Sequence, residues 1–425
     1  MIRLEDLSKV GFGTYRISIN STENVTALSE AIVSGCNLID TASNYTNGDS
    51  EKLIGKVLEN LNKEVFIISK AGYISGNNLK TFKNLNNRKK GLLDIVHISE
   101  DFKHSIHPEY LDAQINISLK RLNRKYLDCF LLHSPEYYYQ EPNEGSGSNS
   151  NEYYSRMKKA FEFLEEQVTK GKIRYYGVSS NTLSLDSNNP KATDIKRLLS
   201  ITNEVSLNNH FKFIQFPFNI VENEASLRSL ESSKSLLEFA KEKNIVTLGN
   251  RPLNANTSKG LLKLVIHNND LLNLNDIKSS SIYKQFSDII EEQLRKVSDS
   301  NLSEISVLVF LKENWMNIES TSAFNKIFYE MLYPFLNFIF ENNIPKKASQ
   351  LFKQFEAISW NYHLKLLSIK TTNYLNLNNL SDLLDSTKPL SSMLANKYLE
   401  MGIDHVLMGM TKPIYVDEVK HLFKN

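Results

Sequence analysis

The chain has 425 residues, 41% of them apolar and 23% charged, with a formal net charge of +2. These values fit a soluble globular protein and exclude a strong global pull towards nucleic acid or a membrane surface. No run of about 18 apolar residues suggests a membrane span, and "MIRLEDLSKV" lacks the basic start and apolar core of a signal peptide.

In chain order, strand-like apolar runs fall at 9–15, 37–42, 65–71, 127–133, 175–180, 213–220, 245–250 and 405–410. Most are short and continuous rather than alternating, as parallel strands covered on both faces should be. Helix-like segments separate them: 22–35, 50–61, 108–122, 153–171, 193–205 and 233–244. Eight strands with intervening helices predict a single (β/α)8 TIM barrel over residues 1–425. A doubly wound open sheet is the second reading, but its G-x-G-x-x-G fingerprint is absent, because "GFGTYR" lacks the third glycine.

The rhythm breaks between the seventh and eighth strands, where about 150 residues intervene. In "SIYKQFSDIIEEQLRKV", Ile282, Phe286, Ile290, Leu294 and Val297 recur at spacings of three and four, an amphipathic helix. Residues 254–388 are therefore expected to form a helical insertion. "FYEMLYPFLNFIF" (328–340) reads as a core helix or an oligomer contact. "QEPNEGSGSNSNE" (140–152) reads as a flexible loop, and "KTFKNLNNRKK" (80–90), with five positive charges and no acid, as a long solvated loop. The two cysteines, Cys36 and Cys129, lie in apolar segments and form neither a disulfide framework nor a zinc site, so a cytoplasmic setting is expected.

Catalytic groups of a barrel come from the C-terminal strand ends and the loops that follow. Asp40 ends the second strand and Tyr45 lies in its loop; Lys70 ends the third and His133 the fourth. Singly, each has an ordinary structural explanation: a cap, a loop aromatic, a solvated lysine, a satisfied histidine. Jointly, they compose an acid. A neighbouring Lys⁺ should lower the pKa of a tyrosine, and an Asp⁻ should hold that lysine charged. Such a tyrosine can donate a proton to a carbonyl oxygen, and a neutral histidine can hydrogen-bond the same oxygen. No metal is required.

These stretches resemble the aldo-keto reductase superfamily. "VGFGTYR" is similar to its first strand, and "NLIDTASNYTNGDSEKLIGKVL" to its most diagnostic segment, a D-T-A, then a tyrosine, then G-x-S-E with I-G. "IISK", "SLKRLNRKYLDCFLLHSP" and "GKIRYYGVSS" resemble the third-, fourth- and fifth-strand motifs. By this resemblance Asp40, Tyr45, Lys70 and His133 fill the four catalytic positions. The resemblance also implies a nicotinamide cofactor, NADPH with NADH possible, lying across the strand ends.

Carried over by position, Ser179, Ser180 and Gln215 face the carboxamide, and Gly13, Thr14 and Asp40 lie near the nicotinamide and its ribose. Ser180 replaces a common asparagine. Asn250 stands where a stacking tyrosine is frequent, and Arg251 is either a pyrophosphate ligand or a surface arginine. Gly409, Thr411 and Lys412 lie in the segment that grips the adenosine 2′-phosphate, without the lysine and arginine common there. Tyr137, Tyr138 and Tyr139 follow the histidine strand as an aromatic wall or a buried loop cluster.

The expected activity is reduction of an aldehyde or ketone, or the reverse oxidation of an alcohol or sugar, with Tyr45 as proton donor. The partner is a small carbonyl or sugar substrate, with neither nucleic acid nor membrane. A cofactor-binding sensor that uses the insertion as its docking surface is the alternative; a lyase or isomerase ranks last, because no paired acids or histidine clusters mark the strand ends.

Overall fold

A computed structural model describes residues 2–88, 94–140, 149–186, 188–228, 233–258, 260–267, 281–296, 310–311, 314–318, 321–384 and 387–424. The chain divides into two compact units, Met1–Leu261 with Thr387–Asn425, and Leu262–Ser386.

The first unit is built on eight parallel strands: β1 (Val10–Gly13), β2 (Leu38–Asp40), β3 (Phe66–Ala71), β4 (Leu127–His133), β5 (Ile173–Ser179), β6 (Phe211–Pro217), β7 (Val246–Asn250) and β8 (His405–Gly409). They close into a barrel in the order β1-β8-β7-β6-β5-β4-β3-β2. Every residue of β3 and β4 is buried, which is why these strands read as unbroken apolar runs: helices cover one face and the barrel interior the other. The interior is filled by Leu7, Leu38, Phe66, Ile68, Cys129, Leu131, Phe213, Leu248 and Leu407. Both thiols are buried, and burial pushes that of Cys36 up to about 11, so each behaves as a small hydrophobe.

Local signals set the helix ends. Helix α1 (Thr22–Val33) starts at Ser21, whose side chain accepts from the Asn24 amide. A later helix, Leu236–Glu242, opens with a capping box between Ser235 and Glu238. Pro108 begins the helix Pro108–Leu122, where its missing N–H costs nothing.

The segment 80–90 is not a loop over its described part: residues 80–88 belong to the helix Asn77–Arg88. Leu79, Phe82 and Leu85, spaced by three, pack with Ile74 and Tyr110, and this apolar stripe outweighs the exposed charges. Three short strands, Tyr73–Ile74, Val96–Ser99 and Phe102–His104, flank that helix as an antiparallel sheet in which Phe102–His104 is central. Of the stretch 140–152, residues 141–148 lie outside the described residues; Asn149 caps the helix Ser150–Thr169, so the last residues of the expected loop are already helical.

The second unit is helical around Phe286, Ile290, Trp315, Phe328, Phe352 and Phe355. Its longest helix is Lys346–Leu377. Ahead of it in the chain, where helix was expected, lie two short strands, Asn254–Thr257 and Gly260–Lys263. The apolar run 328–340 is a π-helical stretch, Lys326–Leu332, followed by the α-helix Tyr333–Ile339. The change falls just before Pro334, which cannot donate to a carbonyl one turn back. Among the described residues no helix is long and apolar enough to cross a membrane.

A tight backbone approach in the barrel occurs at Gly177 of β5, next to an irregularity in its pairing with β6. A Cβ built there would lie 1.8 Å from the Phe213 carbonyl oxygen. We expect Gly177→Ala to force the two strands apart and cost about 3 kcal/mol, the upper range for overpacking, read as a shift in the denaturant midpoint; an unchanged midpoint would contradict this packing.

Candidate active site

Side chains on one strand face recur every second residue. On β2 the inward row runs Leu38, Asp40; on β3 Phe66, Ile68, Lys70; on β4 Cys129, Leu131, His133; on β6 Phe213, Gln215; and on β7 Leu248, Asn250. The apolar members share one core cluster. The polar members continue the same rows at the C-terminal strand ends, so strand periodicity gathers them into one layer.

At the centre is an ion pair, with Lys70 Nζ 2.7 Å from Asp40 Oδ1 and side chains 0% and 6% exposed. The ammonium has three hydrogens to place. One goes to Asp40, one to the Thr41 carbonyl at 2.8 Å, and one to the Tyr45 phenol oxygen at 3.4 Å. Gln215 Nε2 donates to Asp40 Oδ1 at 2.7 Å from across the barrel.

Burial lowers the pKa of Lys70, and the Asp40 carboxylate opposes that shift. The Tyr45 phenol moves up rather than down: burial raises it well above the ordinary value, and the Asp40 charge adds to the effect. The expectation from sequence weighed the lysine and the aspartate that holds it but not burial; in the folded chain, desolvation of the phenolate wins. Tyr45 therefore carries its proton throughout the neutral range.

The His133 ring stands 5.9 Å from that of Tyr45 in an edge-to-face arrangement. Burial, helped by Lys70 and His104, lowers its pKa well below the ordinary value, so the ring is neutral. Its Nδ1 is buried without a hydrogen-bond partner. Tyr73 contacts the ring at 4.5 Å between centroids and donates to the Ser134 hydroxyl at 3.0 Å. On the other side of Tyr45, Tyr15 meets it edge-on at 5.1 Å.

The remaining predicted residues divide by location. Thr14 donates its hydroxyl to the Asp40 carbonyl at 2.8 Å, and Gly13 pairs in register with both Asp40 and Gly409. The Ser179 hydroxyl donates to Gln215 Oε1 at 2.9 Å, as does Asn250 Nδ2 at 3.3 Å, while Asn250 Oδ1 is buried without a partner. The Ser180 hydroxyl is engaged with Thr182 and Thr193 at 3.1 and 3.2 Å.

Arg251 is not a free surface arginine: it pairs with Glu222 at 2.8 Å. Gly409 is exposed at the end of β8. The Thr411 carbonyl accepts from Asn24 at 2.8 Å, and the Lys412 ammonium lies 3.7 Å from Glu23. These three sit at the edge of the central layer rather than in it. Of the three consecutive tyrosines, Tyr137 packs with Tyr73, Phe102 and His104, whereas Tyr138 and Tyr139 are buried against Tyr153.

Sequence reasoning missed the supports. Glu51, fully buried, accepts from Ser69 at 2.8 Å and pairs with Arg121 at 3.0 Å. Arg121 also donates to the Ser43 carbonyl at 2.9 Å, fixing the loop that carries Tyr45. Both residues lie in motifs already quoted, "GDSE" and "SLKRL", so the signal was present but not read as a pair. Glu136 is a buried carboxyl whose pKa burial raises, and the backbone and side-chain amides of Asn181 both donate to it at 2.9 Å. Nothing in the local sequence marks it.

The sequence profile of the Aldo/keto reductase family matches residues 9–263. An uncharacterized oxidoreductase of Bacillus subtilis is 27% identical over 41% of this chain and 45% of its own length. An NADH-specific methylglyoxal reductase of Escherichia coli is 26% identical over 41% of this chain and 48% of its own. The chain thus spans about half the length of the curated relatives it matches. Among solved structures, a glycerol dehydrogenase of Gluconobacter oxydans, 17% identical, superposes with a TM-score of 0.50 over 99% of this chain and 87% of its own, a likeness of fold.

The buried histidines make stability depend on pH. Burial lowers His104 from 6.5 to about 4, whereas the unfolded chain protonates that ring near 6.5. Between these values the unfolded state binds more protons, so stability is full above pH 6.5 and is lost as pH falls. The ring of His104 alone is worth about 3 kcal/mol over that interval. Denaturant unfolding at pH 7 and 4 should show a smaller loss in His104→Gln than in the wild type by about this amount; equal losses would contradict a neutral, buried His104.

Proposed function

The chain belongs to the Aldo/keto reductase family, and from that premise we propose that it reduces a small aldehyde or ketone, or in reverse oxidises an alcohol or sugar, with Tyr45 as the general acid. The observation that carries this reading is the Tyr45 phenol oxygen 3.4 Å from the buried Lys70 ammonium, itself 2.7 Å from Asp40. A bound nicotinamide cofactor supplies hydride to the carbonyl carbon. The chain's own task is to manage the charge that then develops on oxygen.

Burial keeps Tyr45 protonated, so its proton is in place before the reaction. Lys70 already occupies one side of the phenol oxygen and can stabilise the phenolate left after transfer, while Asp40 holds Lys70 charged. With Nδ1 of His133 shut away, its Nε2 is the ring atom left to orient a substrate oxygen. Tyr15, Tyr73 and Tyr137 put aromatic surface around this centre, which suits a small carbonyl compound or a sugar and restricts water.

The residues fit a nicotinamide. Asn250 Oδ1, buried and unpartnered, suits an amide hydrogen, and Ser179, Gln215, Gly13 and Thr14 surround the same region; Ser180 supports this wall through Thr182 and Thr193. No aromatic ring stands at position 250 to stack on the ring. Gly409, Thr411 and Lys412 are the chain's groups for the adenosine end, and Arg251, paired with Glu222 through Nη2, keeps guanidinium donors for a pyrophosphate. We assign NADPH as the cofactor, with NADH as the other candidate, since one relative is named as NADH-specific.

Nucleotide titration by fluorescence and turnover on a panel of aldehydes, ketones and sugars test the proposal. Tyr45→Phe should keep nucleotide affinity and lower kcat by roughly 10²–10⁴-fold, the scale of a lost general acid. Full turnover in Tyr45→Phe would remove the tyrosine from the mechanism. Nucleotide binding without turnover on any carbonyl would favour a sensor instead.

A further inference from the structure

His133 lacks the usual means of fixing a functional imidazole. Such a ring is normally oriented by a carboxylate or carbonyl at its second nitrogen, yet Nδ1 of His133 is buried with no partner. Something else must hold it.

The holding groups come from the small antiparallel sheet after β3. His104, at the end of Phe102–His104 and 2% exposed, places its Nε2 2.7 Å from the His133 backbone oxygen. A carbonyl can only accept, so Nε2 carries the hydrogen, and burial keeps the ring neutral. Tyr137 stacks on the His104 ring at 5.5 Å. Tyr73 pairs with His104 in that sheet and packs its ring on His133 at 4.5 Å. His133 is thus gripped twice, at its backbone oxygen and at its ring, by neighbouring residues of one sheet.

Gly72 makes the backbone grip possible. A Cβ at this position would lie 2.3 Å from the His133 oxygen and 2.5 Å from His104 Nε2. The residue beside the contact must be glycine for the imidazole to reach the carbonyl at hydrogen-bond distance.

We propose that His104 is a positioning residue for His133: by donating from Nε2 to the His133 carbonyl through the gap left by Gly72, it sets the imidazole against Tyr45 in place of a partner at Nδ1. In this role His104 acts through His133 rather than on the substrate. Its catalytic consequence rests on the reductase reading above; its structural consequence for His133 does not.

The test uses His104→Leu, which removes the donor, His104→Gln, which keeps one, and Gly72→Ala, which blocks the contact from the other side. First, the ring ¹⁵N and ¹H resonances of His133 should shift in His104→Leu and Gly72→Ala and return towards wild type in His104→Gln. This arm needs no turnover, so it stands even if no carbonyl is reduced and the functional reading falls. Unmoved His133 signals in both disruptive variants, with the fold intact by circular dichroism, overturn the proposal. Second, with an accepted carbonyl substrate, His104→Leu should lower kcat by about 10–100-fold, the scale of a small misplacement of a catalytic group, with nucleotide affinity unchanged. In a His133→Ala background the same substitution should cost nothing further. Losses that multiply would show that His104 does not act through His133, and would overturn the proposal.

Discussion

The architecture of the site depends on one buried contact, the ion pair between Asp40 and Lys70. Removing two ions from water costs several kcal/mol each, and their attraction repays that only with good geometry and with every remaining hydrogen-bonding position filled. Here every ammonium hydrogen has an acceptor. The ammonium reaches Asp40, the Thr41 carbonyl and the Tyr45 phenol, and the carboxylate receives Gln215 as well.

The pair also imposes direction on its neighbours. A carboxylate can only accept, so Gln215 must turn its Nε2 towards Asp40. Its Oε1 is then left to accept, and Ser179 and Asn250 both donate to it. The orientation of Asn250 follows in turn, with Oδ1 pointing away from Gln215. One charge thus orders side chains on β2, β3, β5, β6 and β7. A second buried pair, Glu51 with Arg121, does similar work one layer out, where it ties the loop carrying Tyr45 to the helix before β4.

Much of this was legible in the chain. Asp40, Lys70 and His133 each close an apolar strand run, and strand periodicity places them on the inward face without any knowledge of the fold. What escaped had physical reasons. The helix Asn77–Arg88 carries an apolar stripe of only Leu79, Phe82 and Leu85 among lysines and asparagines, so charge masked periodicity. The strands Tyr73–Ile74 and Phe102–His104 are too short to show a period, yet they bring Tyr73 and His104 to His133. Glu51 and Arg121 are 70 residues apart, and nothing local announces that they meet. The pKa of Tyr45 was misjudged in direction because a sequence shows which charges are near but not how much water is lost.

The most direct test of the central pair is a double-mutant cycle on stability. Unfolding free energies of Asp40→Asn, Lys70→Met and the double variant would be measured in denaturant at neutral pH. Each single change leaves the other charge buried and uncompensated, so each should cost about 3–5 kcal/mol, and the double should cost less than their sum. Strictly additive costs would mean that the two side chains are held in place independently, and the account of the site built on their interaction would be wrong.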